Sequence, residues 1–238
     1  MRRLLVGTLA LLTALLTLSA CAPRPERPDA AGVTRSEALA LPLERQFKLA
    51  ALRYRDLNLR FAALQREMGQ GIWRDGGAAS EVAPWSEFTM GSSSLGTTRD
   101  DGYYFRVIRD LVNPEDADLS LAKVTALWES RGWVVSHEDL GSWARITTYT
   151  PDGYWFELTD HVGTMAFTAH SPGYWGAQDE LLSAVGDRRR AEDAAGETWD
   201  TTDRDEEGYA IRVPGEYRPF PDWDTPIEPG SGAESAVG

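Results

Sequence analysis

Residues 143–160 read WARITTYTPDGYWFELTD. Pro151-Asp152-Gly153 is turn chemistry, because proline presets φ and glycine tolerates a positive φ. After the turn, Tyr154, Phe156 and Leu158 alternate with Trp155, Glu157 and Thr159. That is the period of a strand with one apolar face, so the stretch reads as an antiparallel hairpin. A second turn at His161-Val162-Gly163 leads into TMAFTAH (164–170), where Met165, Phe167 and Ala169 alternate with Ala166, Thr168 and His170. SPGYWG (171–176) ends the sheet, and upstream WVVSHE (133–138) and GYYFRVIRDL (102–111) supply two further strands.

Helices flank these strands. LAKVTALWESRG (121–132) puts Leu121, Val124, Leu127 and Trp128 on one face and ends at Gly132; the preceding NPEDADLS offers capping residues. Farther upstream, Leu43, Phe47, Ala50, Tyr54, Leu57, Phe61, Leu64 and Met68 alternate spacings of four and three, and Gly69 and Gly71 stop the helix. A coiled-coil seam would use such a stripe. Leu49, Leu52 and Leu59 widen it beyond a seam, which favours one long helix lying on a sheet. AQDELLSAVGDRRR (177–190) reads as a last short helix. The expected fold class is α+β: an antiparallel sheet of about 4–5 strands in strand–helix–meander order, with the long N-terminal helix packed on one face.

The start of the chain reads as a targeting segment. Arg2 and Arg3 precede an uncharged apolar run from Leu4 to Leu18, shorter than the roughly 20 residues a spanning helix needs. Leu18-Ser19-Ala20-Cys21 resembles the lipobox of bacterial lipoproteins, in which the cysteine thiol receives a diacylglyceryl group and the signal is cut before it. That resemblance implies a signal peptide over 1–20, lipidation and palmitate-type acylation at Cys21, and a location on the extracytoplasmic face of the cell membrane. Each buried methylene contributes about 0.8 kcal/mol, so several chains anchor stably where one does not. Cys21 is the only cysteine, so the folded part would hold neither a thiol nor a disulfide. Residues 21–36, the cysteine and a Pro-rich stretch, read as a tether; fourteen extended residues would reach roughly 45 Å. Residues 37–190 read as a single domain. Residues 191–238 are acidic and Pro/Gly-rich and read as a partly disordered segment whose aromatics could dock back.

The formal net charge is −13 and becomes more negative once Arg2 and Arg3 leave with the signal. Residues 22–67 carry nine basic and six acidic side chains, against six and sixteen in residues 179–238. This balance excludes a nucleic-acid partner, which needs a basic surface. No nucleophile elbow is present, since Gly91-Ser92-Ser93-Ser94-Leu95-Gly96 has the wrong spacing. His137, His161 and His170 form no HExxH or HxH pair. The run around Asp203, Asp205 and Glu207 begins like a calcium loop, but Pro214 stands where the bidentate carboxylate belongs. No catalytic residue, cofactor or metal ligand is therefore assigned.

Aromatic density is the remaining signal. Trp155 is opposite in phase to Tyr154 and Phe156, so one set lies on the far sheet face. That face is either a binding surface, for which Trp143, Trp155, Tyr174 and Trp175 are the candidate residues, or is covered by the C-terminal segment. The lipobox, the helix closing on GQGIW, the strand and helix ending in RGW, the PDGYWFEL hairpin and the strand ending in SPGYW together resemble actinobacterial LppA-like lipoproteins. The resemblance spans roughly residues 37–176 and implies fold and location, with no activity to carry over. It also implies a cysteine staple between the places of Met90-Gly91 and Ser171-Pro172-Gly173, neither of which has Cys here. The leading functional expectation is a membrane-anchored, non-enzymatic binding module for a protein, glycan or small-molecule partner. The alternatives are a carrier of an apolar small ligand between helix layer and sheet, and a hydrolase or metal-dependent enzyme built on His137, His161 or His170.

Overall fold

The computed structural model describes residues 26–69, 71–76, 84–86, 101–113, 119–139, 141–161, 163–197 and 203–227. Cys21, the segment 1–20, Met90-Gly91 and the Gly91–Gly96 loop lie outside them. Among the described residues no helix is long and apolar enough to cross a membrane.

The chain begins with α1 (Arg35–Leu39), capped reciprocally by Thr34 and Glu37, and α2 (Leu43–Met68). Then follow β1 (Ile72–Asp75), β2 (Trp85–Ser86), β3 (Gly102–Tyr104), β4 (Arg106–Val112), α3 (Leu121–Ser130), β5 (Val135–Asp139), β6 (Ala144–Tyr149), β7 (Trp155–His161), β8 (Thr164–His170), β9 (Tyr174–Trp175) and α4 (Gln178–Ala194). The main sheet has six antiparallel strands in the order β1-β4-β8-β7-β6-β5, and β2, β3 and β9 form a small second sheet. The fold is α+β, with the expected β5–β8 meander and with β4 beside β8. Gly153 and Gly163 take φ of 88° and 81°, the left-handed values that the two hairpin turns require.

The α2 stripe is buried within its own domain. Phe47, Ala50, Tyr54, Leu57, Phe61, Leu64 and Met68 pack on the apolar sheet face, where Phe105, Val107, Phe156, Leu158, Met165 and Phe167 point. Val124 and Trp128 of α3 join the same core. The stripe is thus a sheet-packing face and not a dimer seam.

The described parts of the segments that flank residues 37–190 pack against them. Helix α4 runs on to Ala194, and residues 203–227 are docked. Arg212 N–H donates to the Trp73 carbonyl at 2.8 Å, and Ile211 bridges Arg74, so the segment adds to the edge of β1. Tyr217, Phe220 and Trp223 then insert beside Phe47, Tyr54 and Phe105. They lie on the helix side of the sheet and do not cover Trp155. The acidic charge of the segment is compensated locally: Arg74 pairs with Asp205 and Glu207, and Arg218 pairs with Glu192 and Asp193.

The expected tether is docked as well, from Glu26 onward. The Trp175 indole N–H donates to the Arg27 carbonyl at 2.9 Å, and the Trp175 backbone N–H donates to Asp29 Oδ2 at 3.1 Å. Asp29 Oδ1 accepts from Ala31 and Val33 N–H at 2.8 and 3.0 Å, and Arg53 lies 3.7 Å from Oδ2.

Candidate binding face

Alternation sends every second strand residue to the sheet face opposite the core, and the register sets these residues in rows. At one end the row is Arg106, His170, Trp155 and Tyr149, on β4, β8, β7 and β6. The next row is Ile108, Thr168, Glu157, Thr147 and Ser136. The third runs from Arg74 through Asp110, Ala166, Thr159 and Arg145 to Glu138. His161 stands at the far end, opposite Thr164. Small Thr and Ala side chains thus form a floor, with rings at both ends and charges at the sides.

The first row is the most informative. Trp155 and His170 lie with ring centroids 4.1 Å apart; Tyr104 stacks on the other side of His170 and Tyr149 meets Trp155 edge-on. His170 is buried, whereas Tyr149 is 60% exposed. His170 Nδ1 is a buried atom that closes no hydrogen bond among the described residues, and the buried Trp155 Nε1 has only the Glu157 carboxylate beside it. Such groups cost free energy unless a partner arrives. In the second row, burial pushes the Glu157 carboxyl up, while Arg145, Arg106 and the nearby Trp155 N–H pull it down. Arg145 lies 3.8 Å from Glu157 and also pairs with Glu138. Burial likewise raises Asp110, opposed by His161 and Arg74.

Burial holds His170 down to about 2, and the Arg106 charge acts the same way. His170 is therefore neutral in the folded chain, while the unfolded imidazole takes a proton near pH 6.5. A depressed folded pKa contributes stability that is present above the unfolded value and lost as pH falls. Stability should drop below pH ~6.5 at up to about 1.4 kcal/mol per pH unit from this group. Urea midpoints of His170→Asn between pH 7 and 5 should show a shallower slope than the parent; an identical slope would contradict the assignment.

The four candidate aromatics are not brought together. Trp155 is half-buried in the first row. Trp143 stacks on His161, centroids 5.5 Å apart, at the opposite end of the strands. Tyr174 and Trp175 are buried in the small sheet, Trp175 beneath residues 27–33 and Tyr174 under the Arg53 guanidinium at 4.0 Å. As members of an exposed surface these two are corrected: the N-terminal segment covers Trp175, and Arg53 of α2 and Tyr103 of β3 cover Tyr174, all distant in sequence. The histidines are dispersed too, with His137 exposed on the edge strand β5 and His161 and His170 at opposite ends of β7 and β8. Six residue steps along a strand are roughly 20 Å. Among the described residues no group of three or more His, Cys, Asp or Glu could hold a metal ion; Asp205 instead pairs with Arg74 and accepts from the Glu207 and Tyr209 N–H groups.

Glu157, Arg145 and Tyr149 share this face, and no sequence motif marks them. Their phase with Trp155 was the available signal, since Glu157 stands two residues from it and Thr147 and Tyr149 share its face through the hairpin. A second polar cluster lies at the same end of the sheet. The Tyr154 hydroxyl donates to Asp56, and Arg60 bonds Asp56 and Asp152, each at 2.9 Å, while lying 4.1 Å from the Tyr154 ring. Burial and the Asp56 carboxylate push Tyr154 well above the usual tyrosine range, so the hydroxyl stays protonated as a structural donor.

No protein-family model matches the chain, and no curated protein matches it. The crystal structure of a DUF4853 family protein from Actinomyces odontolyticus ATCC 17982 is similar at 16% identity with a TM-score of 0.31, covering 63% of this chain and 71% of that one; a score of that size carries no argument about this chain.

Proposed function

We propose that this chain is a lipid-anchored, extracytoplasmic binding module that holds a glycan of the cell envelope on the Trp155–His170 face. Membership of the LppA-like lipoproteins is part of the same reading. The anchor is supported by Arg2-Arg3, the apolar run and Leu18-Ser19-Ala20-Cys21. The binding reading rests on one observation: the buried His170 Nδ1 closes no hydrogen bond among the described residues, and it sits beside Trp155, whose N–H faces Glu157, and near the exposed ring of Tyr149. Trp155 Nε1 can only donate, and neutral His170 has one accepting nitrogen. A hydroxyl can do both, and a sugar adds apolar C–H faces that suit the Tyr149 ring. Glu157 and Arg145 supply further partners for hydroxyls, in the manner of a few polar groups set among apolar ones. A hydrolase built on the three histidines has no convergent set to use, because they stand apart.

The test pairs two measurements on the full chain. Labelled palmitate should enter the parent and not Cys21→Ala; continued labelling of that variant would defeat the anchor. Purified cell-wall polysaccharide should bind the parent, with Trp155→Ala and the surface variant Tyr149→Ala each weakening binding by about tenfold or more, the size of one lost stacking or hydrogen-bonding contact. Unchanged affinity in Tyr149→Ala and Trp155→Ala, with parental circular dichroism, would remove this face as the site.

A further inference from the structure

The docked N-terminal segment limits how far the domain can stand from its anchor. Its backbone is held from Arg27 onward, by the Trp175 indole on the Arg27 carbonyl and by Asp29, whose carboxylate is buried and bonded on both oxygens. Glu26 is tied by its side chain to the Ser36 N–H at 2.9 Å. From Cys21 to Arg27 there are six residue steps, which span at most about 20 Å even when fully extended. A domain of this size has a radius of gyration of roughly 15 Å. The free chain is thus hardly longer than the domain's own radius, and less than half the reach of an undocked tether.

We infer that the end of the domain built from residues 27–30, the Pro151-Asp152-Gly153 turn and Pro172-Gly173 rests on the lipid headgroup surface. This inference depends on the lipid anchor at Cys21. These three segments border one open cleft of about 350 Å³, with Arg27, Pro28, Ala30 and Asp152 on its rim. The two turns meet there, since a Cβ on Gly153 would touch Pro172 at 3.5 Å. Proline and glycine make up much of this end; of its two acidic side chains Asp29 is buried and lies 3.7 Å from Arg53, and Asp152 pairs with Arg60, which it shares with Asp56. The strands run away from it. Trp155, His170 and Tyr149 lie at the membrane end of the binding face, and Trp143 with His161 lies at the distal end. A ligand on that face would enter from the side of the sheet, near the bilayer.

The experiment uses the lipidated full chain in phosphatidylcholine–phosphatidylglycerol vesicles containing spin-labelled lipid. A fluorophore is placed on Ala30→Cys, at the proposed contact, or on Ser142→Cys, beside Trp143; Cys21 is blocked by its own thioether. Both positions are exposed. Co-flotation with the vesicles reports the anchor, and quenching by the spin label reports proximity. The label at position 30 should be quenched at least twice as strongly as that at 142. Inserting ten Gly/Ser residues after Ala22 should bring the ratio to about one without affecting flotation. Equal quenching at both positions in a chain that floats would overturn the orientation and leave the anchor standing. Failure to float, with Cys21→Ala behaving identically, would overturn the anchor and the orientation with it.

Discussion

Asp75→Asn should destabilise the folded chain by about 3 kcal/mol or more, the cost of removing one partner from a buried charge group. Asp75 serves two guanidinium groups at once: Arg109 Nη1 lies 3.0 Å from Oδ1, and Arg212 Nη2 lies 2.6 Å from Oδ2. Both arginine side chains are almost fully buried, at 5% and 7% exposure. Burial pushes the Arg109 pKa down, and Asp75 is the foremost group holding it up. Asparagine keeps the shape and removes the charge, leaving two like charges facing each other in the interior. Arg212 also belongs to the docked segment 203–227 and donates its N–H to the Trp73 carbonyl, so the same change loosens that segment where it runs along β1. Thermal unfolding should fall by roughly 6–12 °C at ~2–4 °C per kcal/mol. Adding Arg109→Met to Asp75→Asn should recover part of the loss, because the stranded charge goes with it. A single variant within ~0.5 kcal/mol of the parent would show that Asp75 is not the counter-ion described.

Phe167→Ala is the second large effect, expected at about 3–5 kcal/mol. Phe167 sits on the central strand β8, fully buried, where four elements converge. It stacks on Phe61 of α2 at 4.5 Å between centroids, and Phe156 of β7, Trp73 of β1 and Trp128 of α3 lie 6.2, 6.3 and 6.4 Å away. Rings this large and this constrained cannot close over the lost side chain, so the transfer term and a residual cavity add. With net stabilities of about 5–15 kcal/mol for folded domains, that loss is about a fifth of the total or more. Guanidinium unfolding with an unchanged slope and a lowered midpoint is the expected record; a loss under ~1.5 kcal/mol would mean the core refills the site. No disulfide shares the cost, since the chain has a single cysteine, Cys21.

The β5–β8 meander was legible because alternation is local. Once the Pro151-Asp152-Gly153 turn pairs Tyr149 with Trp155, the positions of Ile146, Phe156 and Leu158 on one face and of Thr147, Glu157 and Trp155 on the other follow. The long helix was legible for the same reason. Strands β1, β2 and β9 were not, being two to four residues long, too short for any period to show, and β3 was read as one strand with β4. The candidate site was half legible: phase placed Trp155 on the far face, but its neighbour His170, with its unpaired Nδ1, is brought there by the pairing of β7 with β8. Nothing in the order of residues announced that Trp175, so like Trp155 in its GYW context, would be covered by Arg27 and Asp29, which precede it by more than 140 residues.

The sequence by itself determined the α+β class, the hairpin registers and the sheet-facing stripe of α2. Each follows from covalent geometry within a few residues of the position concerned. Only the tertiary structure decided that residues 26–34 and 203–227 are docked parts of the domain, that the C-terminal aromatics fill the helix side and leave the Trp155 face to its own side chains, and that Asp75 gathers two buried arginines. Those outcomes depend on surfaces brought together across the whole chain, where burial of Tyr217, Phe220, Trp223 and Trp175 outweighs the entropy of ordering segments that composition alone would leave loose.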